Sequence, residues 1–89
     1  MIILKVTRIV EFGSGFPSSH NVSWEIFTRE EDYVNFCFDV ETHFDSEKSY
    51  GSKKRIKFTT HTPTEFSKLD MRTIDNMSVL MLNQIMKEL

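Results

Sequence analysis

From residue 33 to residue 44, apolar and polar side chains alternate. Val34, Phe36, Phe38, Val40 and Phe44 hold even positions, while Asn35, Asp39, Glu41 and His43 hold odd ones. Side chains repeat every two residues along a strand and every 3.6 along a helix. Alternation sustained over this length predicts a long strand at 33–44. A competing signal stands just ahead of it: Thr28 followed by Glu31 has the spacing of a helix capping box. The strand reading makes Arg29-Glu30-Glu31-Asp32 a turn.

The same period appears elsewhere. Residues 2–12 place Ile2, Leu4, Val6, Val10 and Phe12 on one face, with Arg8 the only misfit, and Ile3, Lys5, Thr7, Ile9 and Glu11 on the other. Residues 13–21 hold two glycines, a proline and small polar groups, which predicts a loop. Residues 22–28 form a second strand, with Val22, Trp24 and Ile26 on its apolar face, and residues 53–60 a fourth, with Ile56 and Phe58 inward. A turn over 45–52 lets 33–44 pair with 53–60. That register sets Val40 against Phe58 and Thr42 against Ile56. On the reverse face it sets Glu41, His43 and Asp45 against Lys57, Arg55 and Lys53, opposite charges that would fix the pairing. Thr62-Pro63-Thr64-Glu65 has the form of a capping box with proline at the first helical position. From it a helix is predicted over 63–88, pausing at most near Asp70, with a stripe of Met71, Ile74, Met77, Met81, Leu82, Ile85 and Leu89. The expected fold is α+β: a four-stranded antiparallel sheet, strands at about 2–12, 22–28, 33–44 and 53–60, packed against one long C-terminal helix. Its expected core is Leu4, Val6, Val10, Trp24, Ile26, Phe36, Phe38, Val40, Ile56, Phe58, Ile74, Met81 and Ile85.

Composition narrows the function. The 89 residues are 39% hydrophobic, enough to fold as one domain but with a thin core. No apolar run exceeds four residues, which excludes a membrane-spanning helix and a signal-peptide core. The single cysteine excludes an internal disulfide and a cysteine metal cage. A net charge of −2 argues against a generic polyanion binder. That charge is uneven: residues 1–52 carry four basic and nine acidic side chains, residues 53–89 seven basic and four acidic. The chain has no alanine but eight Phe and five Met, a usage common in small proteins of AT-rich genomes, phages and mobile elements.

Four groups of residues are candidates for chemistry or contact. Asp39, Glu41 and His43 would share one strand face, where ligands two apart can chelate a metal ion. An acidic face neutralised by Lys53, Arg55 and Lys57 accounts for the same residues without a metal. Cys37 lies too far from His43 on an extended strand to form a nucleophilic pair, which leaves it a structural thiol. The basic stretch Lys53, Lys54, Arg55 and Lys57, with Tyr50 before it, could grip phosphates and stack bases. Four strands followed by a helix is an element order that resembles the small single-strand-binding transcriptional coactivator fold, and the resemblance implies the same use of that stretch. Glu25, Glu30, Glu31, Asp32, Asp39 and Glu41 form an acidic set suited to a basic protein partner. Val79 and Leu80 fall outside the stripe that a sheet can cover, which suggests a homodimer through the helix.

No constellation supplies nucleophile, base and stabiliser together, and none calls for a cofactor. The first expectation is therefore a small, non-enzymatic, cytoplasmic binding protein, an inhibitor of the phage or mobile-element type that occludes a host protein's surface. The alternatives are a single-stranded nucleic-acid binder and a metal-dependent hydrolase subunit.

Overall fold

The computed structural model describes residues 1–12, 18–46 and 53–89. Its elements are β1 (Ile2–Glu11), β2 (Ser19–Phe27), α1 (Glu30–Ser46), β3 (Lys53–His61), α2 (Pro63–Ser67), a 3-10 turn at Met71–Thr73 and α3 (Val79–Met86). The α+β class stands, but among the described residues the sheet has three strands rather than four, and no single long helix spans 63–88.

β1 is the central strand. It pairs antiparallel with β2 on one side and β3 on the other, giving the order β2-β1-β3. β2 and β3 therefore run parallel to each other, and α1 crosses one face of the sheet to join them. The C-terminal segment covers part of the opposite face. A central strand between two helical layers buries both of its faces. Ile3 and Leu4, which are adjacent and point opposite ways, are both 0% exposed. The expected division of β1 into a buried and a polar face is thus corrected at Ile3.

Residues 33–44 are helical, not a strand, and the predicted hairpin with 53–60 does not exist. Tyr33, Phe36, Cys37, Val40 and Phe44 are spaced three, one, three and four apart, the i, i+3, i+4 pattern that places them on one helix face. That stripe lies toward the sheet: Phe27 of β2 meets the Tyr33 ring at 6.1 Å and the Phe36 ring at 5.3 Å. Three carboxylates, Glu30, Glu31 and Asp32, occupy the first turn, where the helix dipole favours negative charge. The competing helix signal at Thr28 and Glu31 was the informative one, with helix starting at Glu30. Phe38 falls on the far side of α1 and is 69% exposed, so it leaves the expected core. Phe44 and Phe66 are buried and join it.

The C-terminal segment is broken by its own caps. The predicted box at Thr62 forms: Glu65 N–H donates to Thr62 Oγ1 at 3.2 Å, and Thr62 N–H to Glu65 Oε2 at 3.4 Å. Asp70 then caps the 3-10 turn, receiving Arg72 N–H at 3.2 Å. Asn76 takes a left-handed backbone (φ 63°), and Ser78 caps α3 through Met81 N–H at 3.2 Å. Sheet side chains use the groups that a continuous helix would keep for itself. Trp24 Nε1 donates to the Asp75 carbonyl at 2.6 Å and Lys5 Nζ to the Thr73 carbonyl at 3.2 Å. Asn76 Nδ2 donates to the Val22 carbonyl at 3.3 Å. These bonds hold the segment over a cluster of Ile3, Trp24, Phe66 and Ile85, in which Trp24 and Phe66 pack edge to face at 5.8 Å.

Candidate functional site

A helix lying on a sheet has an inner stripe and an outer face. On the outer face of α1, Val34 and Phe38 stand one turn apart and are 53% and 69% exposed. Glu31 lies one turn before Val34, and Glu41 one turn after Phe38. Glu30 and Glu31 open the same helix, and Glu31 holds Arg29 in an exposed ion pair at 2.9 Å. The result is a small apolar centre with an acidic rim.

The structure gathers most of the acidic set on this element. Glu30, Glu31, Asp32, Asp39 and Glu41 all belong to α1. Helical geometry turns Asp32 and Asp39 to a flank, about 100–120° from Phe38. Glu25 is separate, half-buried in β2 opposite Leu4.

The basic stretch is divided by the pleat of β3. Lys53, Arg55 and Lys57 are exposed on the face away from α1. Lys54 turns the other way and lies over the Phe44 ring, 5.6 Å from its centroid. Arg55 forms an ion pair with Glu11 of β1. Acidic helix and basic row therefore occupy opposite sides of the sheet. The expected pairings of Glu41 with Lys57 and His43 with Arg55 are replaced, because the hairpin that required them is absent. Phe58 is half-buried on the α1 face, so it is not an exposed stacking platform beside the basic row. Tyr50 lies outside the described residues.

The metal candidate is separated by the same change of element. Asp39 and His43, four apart, share the flank of α1 that faces the sheet cleft, whereas Glu41 lies on the outer side. Among the described residues no group of three His, Cys, Asp or Glu side chains is placed to hold a metal ion. Cys37 is half-buried one turn after Tyr33. Burial pushes its thiol pKa up, the Tyr33 hydroxyl offsets this in part, and the charge of Glu41 adds to the rise. Tyr33 is raised as well, by burial first and then by Cys37. A thiol kept protonated in this way is a poor nucleophile.

Val79 and Leu80 stand in the first turn of α3 and are 71% and 79% exposed. No helix among the described residues is long and apolar enough to cross a membrane. Sequence reasoning missed the outer face of α1, because a strand over 33–44 sets Val34 and Phe38 on the same face as Phe36 and Val40. The signal that would have found it is the odd-position pair Tyr33 and Cys37, which joins Phe36, Val40 and Phe44 only at the helical period. No protein-family model, curated protein sequence or solved structure matches the chain.

Proposed function

We propose that this is a small, non-enzymatic binding protein that lays the outer face of α1 on a basic, apolar-centred surface of another protein and occludes it. The observation that carries this reading is the exposed Val34–Phe38 pair on a helix whose rim is acidic. A domain with so thin a core leaves a phenylalanine in water at a cost, and burial against a partner recovers it. The acidic rim adds steering and selects for a basic partner. A surface-occluding inhibitor of the phage or mobile-element type, acting in a host cytoplasm, fits this geometry and the alanine-free, Phe- and Met-rich composition.

Capture from host lysate tests it with three baits: the wild-type chain, a Val34→Ser, Phe38→Ser pair, and a Val79→Lys, Leu80→Lys pair. The proposal expects a stoichiometric protein held by the first and third baits and lost by the second. The same proteins on all three baits would remove the outer face of α1 from the reading. The exposed row of Lys53, Arg55 and Lys57 favours single-stranded nucleic acid as a second reading. Material released by nuclease, and lost with Lys53→Glu and Lys57→Glu, would support that one instead.

A further inference from the structure

Arg8 is the single charged side chain among the apolar residues on the α1-facing side of β1. It is half-buried, and its hydrogen-bond partner is neutral: Nη1 donates to Ser23 Oγ at 3.0 Å. A guanidinium has five N–H donors, and no carboxylate among the described residues pairs with this one. A partly desolvated cation held by a lone hydroxyl is electrostatically unfinished.

It borders a cleft of about 580 Å³ between α1 and the sheet, lined by Arg8, Phe36, Asp39, Val40, His43 and Phe44. That volume lies within the usual range for small-molecule sites, and apolar walls with a few polar groups are their usual chemistry. The Ser23 bond fixes the direction of the guanidinium before any ligand arrives. Two charged groups from α1 and β3 bear on the same space. Asp39 is exposed and solvated, which weakens its field, and Lys54 lies over the Phe44 ring.

We propose that this cleft binds a small amphipathic organic anion. Its apolar body lies among Phe36, Val40 and Phe44, and its carboxylate, sulfonate or phosphate group is held by Arg8. The fork of a guanidinium suits such groups better than a point charge does. The site is independent of the outer face of α1.

Two dyes of nearly equal shape supply the probe: 8-anilinonaphthalene-1-sulfonate, an anion, and N-phenyl-1-naphthylamine, its uncharged counterpart. Fluorescence titration of the full chain should give saturable one-to-one binding of the anion. The neutral dye should bind at least about tenfold more weakly, the scale of one charge-assisted hydrogen bond. Arg8→Met should erase the difference between the dyes, and Val40→Trp, which fills the cleft, should weaken both. Amide NMR shifts should cluster at Arg8, Phe36, Val40 and His43. If Arg8→Met does not fold, Ser23→Ala carries the test, because releasing the guanidinium should reduce the discrimination several-fold. Equal affinity for the two dyes, discrimination undiminished by loss of Arg8 or of its anchor, no saturable binding, or shifts centred on Val79 and Leu80 would each overturn the proposal.

Discussion

Phe38→Ala and Phe44→Ala distinguish a helical α1 from a strand over the same residues. On a strand both rings occupy even positions, share a face and lose similar burial. On α1 they lie on opposite sides, and Phe44 is 6% exposed where Phe38 is 69%. Truncating a buried phenylalanine costs about 3–5 kcal/mol. Phe38 forfeits only the covered third of its side chain, about 0.5–1 kcal/mol by area. Alanine, the better helix former, returns about 0.5 kcal/mol of that. The net change at Phe38 is therefore within about 0.5 kcal/mol. A chain of this length has a total stability of about 4–13 kcal/mol, so Phe44→Ala removes a large share of it. Urea unfolding followed by Trp24 fluorescence gives both numbers. The midpoint should fall by at least about 1 M for Phe44→Ala and by less than about 0.5 M for Phe38→Ala. Equal shifts in the two variants would refute the helix, and with it the docking surface built on its outer face.

Three further outcomes follow from the geometry. Asn76→Ala should cost about 2–3 kcal/mol in thermal or urea unfolding, because alanine pays for the left-handed backbone and the bond to the Val22 carbonyl is lost, whereas Asn76→Gly should cost only the bond. Cys37 should react slowly with a disulfide reagent at neutral pH; because its folded pKa is raised, the associated stability is complete below the unfolded thiol value and declines as pH rises through the folded one, a slope that Cys37→Ala should reduce. Sedimentation equilibrium should show the chain self-associating through α3 at high micromolar concentration and Val79→Lys, Leu80→Lys sedimenting near 10.5 kDa, while a wild-type mass near 10.5 kDa would assign the exposed pair to a different partner.

The two periods tie over residues 33–44 for a definable reason. Phe36, Val40 and Phe44 are four apart, a spacing that satisfies a strand repeat of two and lies close to one helical turn. Val34 and Phe38 fill the even positions between them and complete an apparent strand. They do so because they are surface residues of a helix, where hydrophobicity was not expected. Only Tyr33 and Cys37, on odd positions, break the tie. In the C-terminal segment the caps at Thr62 and Asp70 were legible from residue type, but the breaks were not. Those depend on Trp24, Lys5 and Val22, more than fifty residues away, which bond to the turns. Tertiary contacts of that range leave no local pattern.

The burial of Ile3 follows the same logic. Alternation shows which residues share a face but not how many faces are covered, and a central strand under two helical layers covers both. Once α1 is placed over one face of β1, Arg8 ceases to be an isolated misfit. It lies beneath a helix whose inner stripe is aromatic, in a layer that an all-apolar side chain would have sealed. Phe38 is the complementary departure, an aromatic ring where a polar residue would have kept α1 solvated. Local rules are broken most economically where a site is gained. Here the two breaks fall on the two sides of one helix, a cation facing inward and an apolar ring facing outward. That makes α1, rather than the basic strand or the C-terminal helix, the element on which recognition by this chain should be tested first.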